Sequence, residues 1–404
     1  MSASMFASMS APHPILIAGG GICGLACALA FARHNRPSIV LERRAAASEA
    51  GAGIQVGPNG TRLLRRLGVA DALAPCVGRP DAIALRDGAS AAVLARLPLG
   101  PWARERWGDP YWVMHRADLH GALLARAMQE PLVDVRTGWD VATVAEAGDA
   151  ATVTSTAGEA LSAPLLVGAD GLWSTIRRLA FAAPAPAFAG QTAARAVIPA
   201  AAAAALPRDE VGVWLGRDAH VVHYPVRGGA EIAMVVVAPG AGAAAGWGVP
   251  CPAGEVAGSV RSFSPQVRDV IAAASGWQRW ALHLQPAAPV IVRGRVALAG
   301  DAAHAMLPFL AQGAVMAIED AVVLADTIAA APDVPAALAA YARARARRTA
   351  RVVAAAARNG RIYHMAPPLS WARDAVLRTV PPARLMAGFD WLYGWRPEGR
   401  SEVR

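Results

Sequence analysis

Residues 15–24 read ILIAGGGICG, a short apolar run that passes directly into the glycine pattern G-x-G-x-x-G. The apolar run predicts a buried parallel strand, and the residues that follow, through His34, predict a helix. Gly19 would permit the tight turn, Gly21 would let the backbone approach a pyrophosphate, and Gly24 would let the helix pack closely on the strand. This order of strand, glycines and helix is typical of a dinucleotide site in a parallel α/β sheet.

An acidic residue follows the next predicted strand. That strand covers residues 38–41, and Glu42 comes eighteen residues after Gly24. A carboxylate at this place can accept hydrogen bonds from a ribose diol. Two roles are open for Arg43: contact with the adenine or a phosphate, or solvation at the surface. The glycine motif by itself does not separate FAD from NAD.

An Asp-Gly pair lies at the end of a third apolar run. Residues 165–168 predict a buried strand, Asp170 and Gly171 a turn, and Ser174 the start of a helix. An ordinary strand-to-helix loop is the alternative, because Asp-Gly serves such turns well.

A Gly-Asp motif ends the fourth apolar run, 296–299, and a helix is predicted over residues 314–329. A carboxylate at Asp301 can bind a sugar or ribityl hydroxyl. A helix N-terminus near Gly313 would place positive potential beside a developing anion. For His304, in the same motif, a hydrogen bond that fixes the loop is favoured over catalysis.

Length and composition exclude several classes of protein. A chain of 404 residues with 17% charged residues is long enough for two or three domains with a large core, and is neither disordered nor a disulfide scaffold. All 39 basic residues are Arg, and the net charge is +9. Composition bias explains this better than a nucleic-acid surface does. The sequence has no membrane span and no secretory signal, which favours a cytoplasmic protein.

The cysteines and the C-terminal arginines have simple interpretations. The four cysteines lack metal-site spacing, and no metal is expected. Cys23 and Cys27 would share one face of a helix, as buried thiols rather than a disulfide. A solvated helix surface is favoured over a nucleic-acid face for the run of Arg343, Arg345, Arg347, Arg348 and Arg351.

The three motifs, in this order, resemble those of the single-component FAD-dependent aromatic hydroxylases, the para-hydroxybenzoate-hydroxylase-like flavoprotein monooxygenases. Four further segments are similar to the salicylate, 3-hydroxybenzoate and 6-hydroxynicotinate hydroxylase branch: residues 51–59, 115–119, 223–227 and 300–320. The similarity covers residues 14–330. The last seventy residues add little to it.

The resemblance implies an α/β fold with a discontinuous, Rossmann-like FAD-binding domain formed by residues 14–186 and 286–330. Strand-like runs at 211–215, 219–224 and 231–237 predict an inserted antiparallel β-sheet domain, residues 187–285, that covers the flavin and binds substrate. Part of 78–105 is expected on the substrate side. Residues 331–404 are expected to form a C-terminal helical region.

The resemblance also implies a set of site residues. The expected FAD contacts are Gly19, Gly21, Gly24, Glu42, Arg43, Gln55, Arg116, Asp170, Asp301 and Gly313. For Arg116 a surface ion pair with Asp118 is the alternative. The expected catalytic residues are His220, Tyr224 and Gln312, the last of these near the flavin pyrimidine ring.

Period-two alternation supports the His/Tyr pair. On the strand predicted around 217–224, His220, Val222 and Tyr224 would point to one face and His223 to the other. His220 would act as base or proton relay and Tyr224 as a hydrogen-bonding partner of the substrate. The alternatives are a structural His paired across the sheet and an ordinary core Tyr.

The function implied is hydroxylation of a small phenolic acid, 3-hydroxybenzoate-like or salicylate-like, with NADH or NADPH and O2 through a flavin C4a-hydroperoxide. The 6-hydroxynicotinate relatives carry His where this chain has Gln55 and Phe309, which makes a pyridine substrate a weaker alternative. A flavin reductase or dehydrogenase is the other alternative. No nucleic-acid partner is expected, and the choice between monomer and homodimer is open.

Overall fold

The computed structural model describes residues 13–45, 52–241, 248–285 and 290–397 of the chain. Its strands, in chain order, are β1 (Ile15–Ala18), β2 (Ser38–Glu42), β3 (Gly53–Val56), β4 (Ala82–Asp87), β5 (Val93–Pro98), β6 (Trp112–His115), β7 (Val133–Thr137), β8 (Val141–Ala147), β9 (Ala150–Ser155), β10 (Ala160–Ala163), β11 (Leu166–Gly168), β12 (Ala187–Pro199), β13 (Glu210–Leu215), β14 (His220–Val226), β15 (Glu231–Pro239), β16 (Val249–Pro250), β17 (Gln278–Leu284), β18 (Val292–Arg293) and β19 (Val296–Leu298).

The helices alternate with the early strands and dominate the C-terminal part. They are α1 (Ile22–Ala32), α2 (Pro58–Arg66), α3 (Ala70–Leu73), α4 (Gly100–Trp107), α5 (Arg116–Met128), α6 (Thr175–Phe181), α7 (Ala253–Ser259), α8 (Pro265–Ala273), α9 (Asp301–His304), α10 (Gly313–Ala330), α11 (Val334–Tyr363), α12 (Leu369–Thr379), α13 (Pro382–Ala387) and α14 (Asp390–Tyr393). Three 3-10 turns cover Ala200–Ala203, Arg227–Gly229 and Pro308–Leu310.

A six-stranded sheet brings the sequence motifs together at the carboxyl ends of its strands. Its order is β18-β19-β11-β1-β2-β7, and every pairing from β19 to β7 is parallel. The strands β19, β11, β1 and β2 lead respectively into the Gly-Asp motif, the Asp-Gly motif, the glycine loop and Glu42. Ligands of open parallel sheets bind beyond the carboxyl ends of the strands, which is where all four now meet.

The predicted helices beside this sheet are confirmed with small shifts. The first ends at Ala32, two residues before the predicted end, and the helix predicted over 314–329 spans Gly313–Ala330. These two helices, α1 and α10, pack against each other in the main core. Cys23 and Cys27 lie on α1 as buried free thiols, as expected from their spacing.

The second large sheet has eight strands. Its order is β16-β17-β12-β15-β14-β13-β4-β5, and the strands predicted near 211–215, 219–224 and 231–237 are confirmed as β13, β14 and β15. The sheet is not wholly antiparallel, because β13 pairs with β4 in parallel. β4 and β5 come from the segment around residues 82–98, far along the chain, so no hairpin turn fixes the direction of that pairing.

The C-terminal region is helical as predicted, but the solvated-surface interpretation of its arginine run is wrong at two positions. Arg345 is 1% exposed and Arg348 is 8% exposed, while the other three arginines of the run are exposed. Arg345, Arg348 and the buried Val352 recur at the spacing of one helix face, and that face packs on α10. Among the described residues, no helix is long and apolar enough to cross a membrane.

Candidate active site

The glycine loop between β1 and α1 requires two of its glycines. Gly19 has a φ of +108°, and a Cβ there would lie 2.5 Å from the carbonyl oxygen of Ala169. A Cβ on Gly24 would overlap the carbonyl oxygen of Gly19. The N-cap of α1 is Gly21, and no side chain in the described part of the chain caps this helix end. Its first N–H groups are therefore left for an anion such as a pyrophosphate.

Glu42 is anchored beside the same loop. Its Oε2 accepts a hydrogen bond from the backbone N–H of Gly20 at 2.9 Å, and its Oε1 accepts from Nε of Arg44 at 3.0 Å. Burial alone would raise the pKa of Glu42, but the hydrogen bonds from Arg44 and Gly20 lower it. The carboxylate is consequently ionised and held in place. Arg43, for which a cofactor contact or solvation at the surface was left open, is exposed, and its neighbour Arg44 contacts Glu42.

His120 supports the glycine loop from α5, a contact that sequence reasoning missed. Its Nε2 lies 2.8 Å from the carbonyl oxygen of Gly20, and the side chain is 2% exposed. The residue is one hundred positions from its partner, and no local pattern signals such a pairing. Arg116 begins the same helix: it is partly buried, and its backbone N–H donates to Ala52 at 2.7 Å.

The Gly-Asp motif places a free carboxylate beside a second uncapped helix end. Asp301 is exposed at the start of α9, and a Cβ on Gly313 would lie 3.8 Å from its Oδ1. Within the described ranges no side chain caps α10, which begins at Gly313. The φ of Gly300 is +61°, and its N–H donates to Asp320 at 2.8 Å, which fixes the turn. The geometry suits a hydroxyl-bearing chain that ends in an anionic ring.

Two residues that the sequence placed at the cofactor are engaged within the protein. Asp170 accepts hydrogen bonds from the Ser174 hydroxyl at 2.5 Å and from the N–H of Ile176 at 3.0 Å, so it holds the start of α6. Gln312 is 1% exposed, and its Oε1 accepts from Asn59 at 3.0 Å. A catalytic role of Gln312 and a cofactor role of Asp170 remain predictions.

The predicted alternation on β14 is confirmed by the register of the eight-stranded sheet. His220, Val222 and Tyr224 oppose Val237, Val235 and Ala233 of β15, which in turn oppose Ala193, Arg195 and Val197 of β12. We call this surface the inner face. His223 points away from it, accepting a hydrogen bond from Trp214 and approaching the carbonyl of Pro207.

The middle row of the inner face is open. Val222, Val235 and Arg195 are partly exposed, although the row that contains His220 is buried and Tyr224 is 2% exposed. The three side chains of this row therefore remain accessible on a face that is otherwise largely buried. His220 lies in the row on one side of them and Tyr224 in the row on the other.

Strand β3 brings the cofactor side of the molecule to Tyr224. A Cβ on Gly53 would lie 2.6 Å from the Tyr224 hydroxyl, so the two strands are in direct contact. Two residues farther along β3, Gln55 accepts a hydrogen bond from the Tyr111 hydroxyl at 2.6 Å. Burial raises the pKa of Tyr224 well above its ordinary value, and the phenol remains protonated.

His220 is buried in an aromatic wall and paired with a second imidazole. Its Nδ1 lies 2.9 Å from Nε2 of His364, and its ring packs on Phe309 and Tyr363 at centroid distances of 5.3 and 5.2 Å. Burial, and then the nearby His364, lowers the pKa of His220 to about 3. His220 is therefore neutral at physiological pH. Its partner comes from the end of α11 and not from a neighbouring strand, so it is not a cross-sheet pair.

Arg195 is a cation on the inner face that sequence reasoning missed. It lies on the inner face, its guanidinium is 5.3 Å from the Trp280 ring, and its buried Nε has no hydrogen-bond partner in the described part of the chain. Burial lowers the pKa of Arg195. Of the nearby titratable groups, Tyr224 raises this pKa and Arg116 lowers it. Within the described ranges no carboxylate forms an ion pair with Arg195. The sequence feature that could have indicated this position is the period-two spacing of Arg195 with the apolar Ala193 and Val197, which places all three on one face of a strand.

A second buried polar group, the ion-paired cluster, lies behind the Gly-Asp motif. Arg345 contacts Asp320 at 2.6 Å and Glu319 at 3.0 Å, and Arg348 contacts Glu319 at 2.7 Å. His304 completes the cluster, with its Nε2 2.5 Å from Asp320, which confirms the expected loop-fixing hydrogen bond. Burial would lower the pKa of His304, but Asp320 raises it.

Two open clefts on the surface lie apart from these residues. One is lined by residues that include Glu146, Arg295 and Leu338, and the other by residues that include Trp102 and Asp390. Neither contains a predicted site residue. The predicted site residues lie instead at the carboxyl ends of the six-stranded sheet and on the inner face.

Comparison with known proteins agrees with this geometry. The family described as FAD binding domain matches residues 13–356. The chain is 37% identical to 3-hydroxybenzoate 6-hydroxylase 1 of Aquipseudomonas alcaligenes, over 94% of this chain and 97% of that protein. It is 36% identical to the 3-amino-4-hydroxybenzoate 2-monooxygenase of Streptomyces cremeus, over 94% of each chain.

A solved relative is similar in three dimensions. The structure of Klebsiella pneumoniae HpxO complexed with FAD and uric acid matches with a TM-score of 0.83 and 28% sequence identity, covering 94% of this chain and 96% of that one. The uncapped ends of α1 and α10, the ionised Glu42 and the exposed Asp301 fit FAD in this fold.

Proposed function

Since the chain belongs to the FAD-binding-domain family of flavoprotein monooxygenases, we propose that it hydroxylates a small phenolic acid, with 3-hydroxybenzoate as the first candidate substrate. The overall reaction would consume one O2, one NAD(P)H and one proton for each phenolic acid. It would release the diphenolic acid, NAD(P)+ and one water. The relatives named for hydroxybenzoates support this substrate class.

One observation carries the proposal: the open middle row of the inner face has a cation, a neutral imidazole and a phenol around it. Arg195 on this row would bind the carboxylate of the acid, because a guanidinium without an acidic partner among the described residues favours an anionic ligand. His220 would face the ring hydroxyl and Tyr224 would donate a hydrogen bond. The apolar Val222 and Val235 would contact the ring.

The cofactor would lie along the carboxyl edge of the six-stranded sheet. Gly19, Gly21 and Gly24 would receive the pyrophosphate, Glu42 the adenosine ribose, and Asp301 the ribityl chain, with Gly313 near the flavin ring. FAD supplies the hydride acceptance from NAD(P)H and the activation of O2 that no side chain can provide. The uncapped N-terminus of α10 would stabilise negative charge on the reduced ring.

We also propose the domain division, with residues 14–186 and 286–330 as the FAD-binding domain and 187–285 as the substrate-binding domain. The separation of the two sheets supports it, and β4 and β5 join the second sheet from residues 78–105. Residue 286 lies outside the described residues. Formation of a homodimer stays a prediction.

Turnover with product analysis tests the proposal. Purified FAD-loaded protein is mixed with NADH or NADPH in air, with 3-hydroxybenzoate, salicylate, 3-amino-4-hydroxybenzoate or 6-hydroxynicotinate as candidates. We expect 3-hydroxybenzoate to accelerate nicotinamide oxidation and to gain one oxygen atom for each nicotinamide consumed. Nicotinamide oxidation that no phenolic acid stimulates, or that produces only hydrogen peroxide, would support a flavin reductase instead.

A further inference from the structure

Behind His220, a chain of polar groups leads from the inner face toward the surface. His220 Nδ1 contacts His364 Nε2 at 2.9 Å, and His364 Nδ1 contacts Gln191 Nε2 at 3.3 Å. His220 is buried, whereas His364 and Gln191 are partly exposed. His364 caps the end of α11, in the C-terminal region that the sequence left without a role.

One ring nitrogen of His220 is left for a ligand. His220 makes its one hydrogen bond within the described residues through Nδ1, which leaves Nε2 for a ligand. Phe309 and Tyr363 pack on the ring and prevent it from turning into bulk water. A proton accepted at Nε2 therefore has one exit, through Nδ1.

We propose that His220 and His364 form a two-imidazole proton relay that carries the phenolic proton of the bound substrate to solvent, with His364 as the positioning and exit residue. The inference rests on the proposed function, because it needs a phenol beside His220. The substrate O–H proton passes to His220 Nε2, the proton on His220 Nδ1 passes to His364 Nε2, and the proton on His364 Nδ1 passes to water. One phenolate forms, and both imidazoles remain neutral with the proton on the other nitrogen.

The low basicity of His220 favours a relay over a stationary base. With a pKa lowered to about 3, His220 does not store the proton as an imidazolium. A concerted transfer avoids that buried charge, because each ring gives up a proton as it accepts one. Burial also lowers the pKa of His364.

The surroundings of the relay contain few other titratable groups. Tyr363 from α11 is the titratable neighbour that packs on His220, and burial raises its pKa. Asp218, which precedes β14, raises the pKa of His364, and Arg373 from α12 lowers it. Gln191 from β12 is neutral. Since its amide can present either nitrogen or oxygen to His364 Nδ1, both proton positions of the relay can be accommodated.

Replacing His364 by Gln tests the relay, because an amide can fill the place and keep a hydrogen bond but cannot pass a proton. The probe is 3-hydroxy-4-nitrobenzoate, whose phenolate is coloured, mixed with the FAD-loaded protein below the pKa of the probe in a stopped-flow instrument. We expect His364→Gln to bind the probe with little change in affinity and to form phenolate about tenfold or more slower. Added imidazole should restore the rate in proportion to its concentration.

The control variant is His34→Gln, at a partly buried histidine that pairs with Asp326 far from the inner face. It should form phenolate at the wild-type rate. The relay is overturned if the wild-type protein hydroxylates a hydroxybenzoate and His364→Gln forms phenolate equally fast, or if imidazole does not restore a slowed rate. Failure of the proposed function is a different result: the wild-type protein then neither binds nor hydroxylates any of the phenolic acids.

Discussion

Two groups of charged and titratable side chains, the ion-paired cluster and the inner face, are satisfied in opposite ways. In the ion-paired cluster, Arg345 and Arg348 are matched by Asp320 and Glu319 at 2.6–3.1 Å. On the inner face, Arg195 has no acidic partner in the described part of the chain, and its Nε has no hydrogen bond. Arg345 and Arg348 recur at the spacing of one helix face, and Arg195 at the spacing of one strand face. Only the carboxylates that neighbour the first two distinguish the groups.

The difference separates structure from function. A buried donor that lacks a partner, such as the Nε of the partly exposed Arg195, is unfavourable, and a ligand can complete it. The ion-paired cluster completes itself, and it fixes α10 and α11 behind the Gly-Asp motif. The inner face is left incomplete on the side where an aromatic acid would bind. The same contrast divides the histidines: Asp320 raises the pKa of His304, whereas burial lowers that of His220 to about 3.

The largest effect is expected from breaking the ion-paired cluster. Arg345→Met leaves Glu319 and Asp320 with less compensation in the core, and removal of one partner of a buried pair costs about 3–5 kcal/mol. Urea unfolding should show that loss in the free energy of unfolding. Arg343→Met, at an exposed position one half-turn away, serves as the control and should unfold like the wild type. Equal stability of the two variants would contradict a structural role for the cluster.

The pH dependence of stability should have opposite signs at the two histidines. The folded pKa of His220 is about 3 against an ordinary value near 6.5, so between these values the unfolded chain binds more protons and stability falls as pH falls. That term reaches about 2 kcal/mol at pH 5. For His304 the folded pKa is raised, so its contribution is complete below pH 6.5 and is lost as pH rises through the folded pKa.

The corresponding measurement compares His220→Asn and His304→Asn with the wild type by urea unfolding at pH 5 and pH 8. Relative to the wild type, His220→Asn should be more stable at pH 5 than at pH 8, and His304→Asn should be less stable at pH 5 than at pH 8. Parallel shifts of both variants across pH would show that the two imidazoles do not differ in charge.

The smallest effect is expected at Trp280, whose ring lies 5.3 Å from the Arg195 guanidinium. Cation–π contacts contribute about 0.5–1 kcal/mol at such sites, so Trp280→Leu should weaken 3-hydroxybenzoate binding roughly two- to fivefold. Titration of the flavin absorbance gives the dissociation constant. Trp371→Leu on α12, where the side chain is 68% exposed, should not change it. An unchanged constant in Trp280→Leu would mean that Trp280 does not orient Arg195.

The sequence predicted the cofactor edge better than the substrate side, for a physical reason. The glycine loop, Glu42 and Asp301 act through backbone turns and strand ends, which depend on neighbours within a few residues. The partners of His220 and Gln312 are 144 and 253 positions away, and no local pattern encodes such pairs. The solvated-surface interpretation of the arginine run is wrong at Arg345 and Arg348 for the same reason. Their partners, Glu319 and Asp320, lie on a different helix.

Binding of a charged and an uncharged ligand to Arg195→Gln tests the central claim most directly. The two ligands are 3-hydroxybenzoate and 3-hydroxybenzamide, titrated against the flavin absorbance of the wild type, Arg195→Gln and the control Arg279→Gln, whose arginine pairs with Glu255 at the surface. A hydrogen bond to a charged group contributes about 1.5–3 kcal/mol, so Arg195→Gln should weaken the acid about ten- to hundredfold. We predict this loss for the acid alone, with the amide and the melting temperature unchanged. Equal weakening of acid and amide, or undiminished binding of the acid, would contradict the assignment of the unpaired arginine to the substrate carboxylate.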